Sequence, residues 1–156
     1  YTDIKTGVKS RTAFEEEYER YAGRKTNDIS QKIGIVVCDL NDLKKVNDTH
    51  GHVMGDRFIE TMAEIIKEQL SGAKDIYRVG GDEFVAIYLG DRCELIEKEI
   101  KLVEAICRKK SKEYSYNIGI AIGYAINEKG EKLNDTYKKA DLNMYKVKKQ
   151  KKKNGG

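Results

Sequence analysis

Two β-rich runs, Asp75-Ile76-Tyr77 and Val85-Ala86-Ile87-Tyr88-Leu89, flank the stretch Arg78-Val79-Gly80-Gly81-Asp82-Glu83-Phe84. β-branched and aromatic segments separated by Gly-Gly predict a hairpin, which commits the middle of the chain to an antiparallel strand pair. Gly80 and Gly81 permit positive φ and let another molecule approach the backbone closely. Two acids follow where the second strand begins. Side chains alternate along a strand, so Asp82 and Glu83 are expected on opposite faces, one toward a site and the other toward a different environment. Gly and Asp are ordinary turn residues, and the hairpin alone reads more readily as a solvated tip. The rest of the chain changes that balance.

From Thr12 to Lys25, Phe14, Tyr18, Tyr21 and Ala22 fall at helical spacing, with Ser10 or Thr12 available as the N-cap. Ile33-Gly34-Ile35-Val36-Val37-Cys38 is nearly unbroken apolar sequence, as in a strand buried on both faces. It ends at Asp39, where a sheet commonly presents ligand-binding groups, although a turn cap is an equal reading of an isolated Asp. Residues 44 to 56 are polar and glycine-punctuated. Phe58, Ile59, Met62, Ile65, Ile66 and Leu70 then mark a helix, as do Leu95, Ile96, Ile100, Val103, Ile106 and Cys107. Tyr116 to Ile126 is a further strand, and a last helix from about Asn134 uses Tyr137, Ala140, Met144 and Val147. The expected class is α+β. Its ferredoxin-like βαββαβ core buries one sheet face under two helices, with extra N- and C-terminal helices.

The 156 residues, 39% hydrophobic and 36% charged, suit a single domain over residues 1–156. No run of 18 apolar residues and no charged-then-apolar leader is present, so a cytoplasmic location without membrane insertion is expected. Cys38, Cys93 and Cys107 are odd in number and lack CxxC spacing, which argues for buried thiols. The net charge of +4 is more than supplied by six lysines within residues 146–153, a basic tail and not the basic face of a nucleic-acid binder. Asn47, His50, His52 and Asp56 lack helical zinc spacing. Asn and Asp there can instead read a base edge, since a carboxylate accepts two N–H bonds that guanine offers and adenine does not.

The stretch from Arg78 to Phe84 matches the signature of the GGDEF domains, the diguanylate cyclases. Asp3, Thr6, Gly7, Arg11 and Phe14 resemble the family's D-x-L-T-G-L-x-N-R-x-x-F opening, with Lys5, Val8 and Ser10 as departures. Asp39 to Asp48 with Gly51-His52 and Gly55-Asp56 resembles its D-x-D-x-F-K-x-I-N-D-x-x-G-H-x-x-G-D block. Asn117 to Ala121 resembles its S-x-G-I-A strand, and Ala140-Asp141, Met144-Tyr145 and Lys148 its A-D-x-A-L-Y-x-A-K helix. Five blocks in order cover essentially the whole chain.

The resemblance implies condensation of two GTP into cyclic di-GMP with release of pyrophosphate, on a fold similar to polymerase palms and adenylate cyclases. It implies a Mg²⁺ site, with Mn²⁺ as a substitute, at Asp39, the Leu40 carbonyl, Asp82 and Glu83. Asp82 is then the proton acceptor nearest the 3′-hydroxyl, Glu83 a further acid, and Lys44 a point cation for phosphate charge. Asn47, His52 and Asp56 line the nucleoside, with Asn47 and Asp56 on the guanine edge, while Lys148 and Lys152 bind triphosphate. A second copy of the domain and an N-terminal sensory or dimerisation module are the implied partners, in a cytoplasmic protein or the cytoplasmic part of a membrane-anchored sensor.

Asn41 replaces the second acid of D-x-D. Lys152 stands where the family's K-x-x-G-R-N ending has an arginine, and lysine cannot form the bidentate fork on phosphate. Ser71 to Asp75 lacks the arginine of the family's R-x-x-D product-binding site. One alternative is a degenerate domain that binds GTP or a protein partner and regulates without chemistry. It is disfavoured because Asp39, Asp82 and Glu83 are all kept. Another is an enzyme making an adenine-containing dinucleotide, which Asp56 opposes.

Overall fold

The computed structural model describes residues 1–23, 32–114 and 117–154. Strand β1 (Ile33–Asn41) is the axis of a four-stranded antiparallel sheet, paired with β3 (Glu83–Leu89) on one side and β4 (Gly119–Ile126) on the other. The order is β2-β3-β1-β4, with β2 (Asp75–Arg78) at the edge beside β3. This is the ferredoxin-like arrangement in an α+β fold. The central position of β1 is why its residues 33–38 are apolar without alternation: all six are buried.

Alternation sorts the sheet's residues into two layers. Val36, Cys38, Leu40, Phe84, Ala86 and Tyr88 pack in one cluster with α3 (His52–Gln69) and α4 (Ile96–Ser111). Ile35, Val37, Tyr77, Val85 and Ile87 pack in a second with α1 (Arg11–Ala22) and α5 (Leu133–Asn154). The expected pair of core helices covers the first face, and the extra terminal helices cover the second. Gly123 makes the second contact close: a Cβ there would lie 2.0 Å from the Met144 nitrogen and 2.5 Å from the Ala140 oxygen. The backbone of α5 therefore rests directly on β4.

Local differences from the sequence reading have physical causes. The polar stretch 44–56 is helical, forming α2 (Leu43–His50) and the first turn of α3, with Gly51 at φ 86° joining them. Helix α2 buries only Val46, which leaves no apolar stripe to read. Ser10, not Thr12, caps α1 by accepting from the Ala13 N–H, and the expected extension to Lys25 lies outside the described residues. Strand β4 begins at Gly119, and Tyr116 also lies outside them.

Residues 1–10 form an ordered turn that covers the sheet edge. The Lys9 N–H donates to the Ile76 carbonyl and the Arg78 N–H to the Lys9 carbonyl, which pairs part of the exposed β2 edge. Asp3 organises the turn by accepting from the Thr6 N–H and hydroxyl at 3.0 and 2.6 Å, and Gly7 adopts φ 75°.

Candidate functional site

Register brings the first acids together. Asp39 on β1 lies directly opposite Glu83 on β3, so the two side chains share the face covered by α1 and α5. Glu83 is thus the cross-strand neighbour of Asp39. Asp82, one residue before the strand, reaches the same place through the backbone: the Leu40 N–H donates to its carbonyl at 2.9 Å. Neither Gly80 nor Gly81 uses the positive φ that the sequence reading allowed for. Among the described residues a Cβ at Gly81 would have no neighbour within 4 Å, so the tip is open there, while one at Gly80 would touch Glu83 Cβ at 3.5 Å. Arg78 holds the tip, donating to the Gly80 and Gly81 carbonyls at 3.3 and 2.8 Å and to Asp3 at 3.3 Å.

The electrostatics follow from this crowding. Burial, then the negative charge of Asp39, pushes the Asp82 carboxyl above its ordinary range. Burial, then Asp141 on α5 with Asp39 and Asp82, does the same to Glu83. Asp39 Oδ2 accepts from Lys148 Nζ at 2.9 Å, and that bond raises the lysine. Among the described residues Asp39 Oδ1 is buried with no hydrogen-bond partner. An orphaned carboxylate oxygen beside a second, charge-strained carboxylate is a donor set suited to a hard divalent cation. Among the described residues no group of three or more His, Cys, Asp or Glu side chains is placed to hold a metal ion, so Glu83 does not join Asp39 and Asp82 as a third ligand. Such an ion would rely on two carboxylates supplemented by backbone and substrate oxygens, a mode suited to Mg²⁺.

Beside the acids lies an open groove of about 950 Å³. Of the residues singled out in the sequence, Leu40, Lys44, Asp82, Lys148 and Lys152 line it. Lys45 and Lys151 line it too and were not singled out. For Lys151 the signal was present in the spacing: positions 148, 151 and 152 share one face of a helix. Lys151 also donates to the Ile120 carbonyl, which folds this part of the basic tail against the sheet. The five lysines, from α2 and α5, outnumber Asp42, Asp48 and Asp82 in the same lining, a balance that favours a polyanion.

Asn47, His52 and Asp56 do not line this groove. Asn47 on α2 lies over the backbone of Gly55, where a Cβ would sit 1.7 Å from its Oδ1, and Asp56 follows directly on α3. His52 is exposed one turn before Asp56. A group missed in the sequence joins them: Lys5 Nζ donates to Asp56 Oδ1. The N-terminal turn therefore touches this cluster through Lys5 and the hairpin through Asp3. All three thiols are buried, and burial raises Cys107 to about 11, which leaves it unreactive.

The family model "Diguanylate cyclase, GGDEF domain" matches residues 1–154. Diguanylate cyclase DgcS of Shewanella oneidensis is 26% identical over 149 residues, covering 94% of this chain and 49% of DgcS. Cyclic di-GMP phosphodiesterase PdeB of the same organism is 33% identical over 126 residues, covering 77% of this chain and 14% of PdeB. The chain thus spans half or less of these relatives. The structure is similar to the GGDEF domain of Caulobacter crescentus DgcB, solved with c-di-GMP, at TM-score 0.83 and 26% identity, covering 96% of this chain and 90% of that one. With the model match running from the N-terminal turn through α5, this chain belongs to the GGDEF domain family of diguanylate cyclases and cyclic di-GMP signalling.

Proposed function

We propose that residues 1–156 act as one catalytic domain that condenses two GTP into cyclic di-GMP, with two copies facing each other. The observation that carries the reading is Asp82, raised by burial and by neighbouring Asp39, in the wall of a groove that five lysines also line. In each half-reaction a 3′-hydroxyl oxygen bonds to the α-phosphorus of the opposing nucleotide. The bond from that phosphorus to the bridging oxygen breaks, and pyrophosphate leaves with the electron pair. Asp82, raised by burial and by Asp39, accepts the hydroxyl proton, and Glu83 supports the negative character of the site. Lys44, Lys148 and Lys152 hold the phosphates as point charges. A divalent cation held by Asp39, Asp82 and the Leu40 carbonyl would neutralise triphosphate oxygens and acidify the 3′-hydroxyl. Asn47 and Asp56 read the guanine edge, with His52 at the nucleoside.

The test is incubation of concentrated protein with GTP and Mg²⁺, followed by detection of cyclic di-GMP. The parent is expected to form product, and Asp39→Asn and Asp82→Asn to form none while keeping the parent's circular dichroism. Normal turnover in either folded variant would remove these residues from the chemistry. A parent that binds GTP without turnover would instead identify a regulatory domain, a role compatible with the loss of the clamping arginine at Lys152.

A further inference from the structure

The contact between Lys5 and Asp56 joins residues 51 positions apart, yet both side chains are well exposed, 36% and 49%. So exposed a pair adds little to stability. The N-terminal turn does not need it either. Asp3 bonds within the turn and to Arg78, and Lys9 is paired with β2. The turn is thus fixed independently and presents Lys5 to Asp56. The family opening has a leucine at this position, so Lys5 is a departure of this chain from that pattern.

We propose that Lys5 is a specificity-determining residue that reads the base together with Asp56, an inference that rests on the reading of Asp56 as the base-edge acid. An ammonium has three N–H donors and a carboxylate about four acceptor sites, so one bond between them exhausts neither. The result is a donor held beside an acceptor. Guanine presents the complement, its O6 acceptor next to its N1–H donor, so Asp56 accepts from N1–H while Lys5 donates to O6. Adenine carries an amino donor where guanine has O6, and it meets the ammonium donor to donor. Lys5 therefore both strengthens guanine binding and penalises adenine, whereas a leucine could do neither.

Dissociation constants for GTP and ATP, measured by displacement of a ribose-labelled fluorescent guanosine nucleotide, test this directly. Lys5→Met is expected to weaken GTP by roughly three- to tenfold, the value of one net hydrogen bond. ATP binding should stay level or tighten, so that the preference for GTP falls, and Lys5→Arg should restore it. A merely structural role would weaken both nucleotides alike and lower the melting temperature. An unchanged preference, or tighter GTP binding in Lys5→Met, overturns the proposal, the latter by making Lys5 a competitor of the base. Asp56→Ser separates the two levels. If Asp56→Ser lowers the preference and Lys5→Met does not, only the role of Lys5 fails. If Asp56→Ser leaves the preference unmoved, the base-edge reading fails and takes Lys5 with it.

Discussion

At Asp82 the demands of folding oppose those of the proposed chemistry. Its carboxyl is raised above the ordinary 3.8, first by burial and then by Asp39, so the native state holds its proton more tightly than the unfolded chain does. Stability contributed at this site therefore falls as pH rises from 3.8 through the raised value, and above that window the ionised pair opposes folding. Asp82→Asn removes the repulsion. It is expected to melt higher than the parent at neutral pH without divalent cations, with the gain vanishing below 3.8, where the parent carboxyl is protonated as well. Thermal scans across pH measure this, and a variant less stable than the parent at neutral pH contradicts it. Functional sites commonly hold such strain at a cost in stability. Lys148 relieves part of it, but its hydrogen bond reaches only one oxygen of Asp39.

Among the elements, α5 does more than cover the sheet. It carries Lys148, Lys151 and Lys152 to the groove and Asp141 toward Glu83, and its approach is set by Gly123. A methyl at that position would meet helix backbone at 2.0 to 2.6 Å, which no side-chain rotation can relieve. Gly123→Ala should therefore destabilise the fold by about 1–3 kcal/mol, the usual cost of overpacking. It should also lift Lys148 from Asp39, lowering the proposed cyclase activity by more than the loss of folded protein explains. Denaturant titration beside specific activity per folded molecule checks both effects, and an unchanged melting curve would show that the helix can slide.

At the scale of the whole molecule, one domain offers one set of acids and one proposed base-reading cluster, while the proposed product is a two-fold symmetric ring with two 3′–5′ links. Two domains face to face supply that symmetry, each holding one GTP and presenting its 3′-hydroxyl to the other. Specific activity should then rise with protein concentration, and a leucine zipper fused before Tyr1 should raise it further through effective concentration. Flat specific activity over a hundredfold dilution would exclude the two-domain mechanism. Because Ser71 to Asp75 lacks the product-binding arginine, the fused protein should show no strong product inhibition there.

The strands and long amphipathic helices were legible in the sequence because burial imposes a period on residues such as Ile33 to Cys38 or Phe58 to Leu70. The signature acids were legible because Gly-Gly-Asp-Glu has so specific an order. Helix α2 was not, since a helix that buries one residue leaves no stripe. The conformation of Gly80 and Gly81 was not, because glycine permits positive φ without requiring it. Alternation predicted separate environments for Asp82 and Glu83, but Asp82 precedes the strand and the pairing of β1 with β3 sets Glu83 opposite Asp39, so the three carboxyls lie within one another's electrostatic reach. Only the packing of α5 turned three lysines of a basic tail into the wall of a groove, and only the N-terminal turn brought Lys5 onto Asp56. Local pattern determines which elements form because propensity and burial act within one turn or one strand. Contacts between residues far apart in the chain depend on register and helix placement, which no local pattern contains.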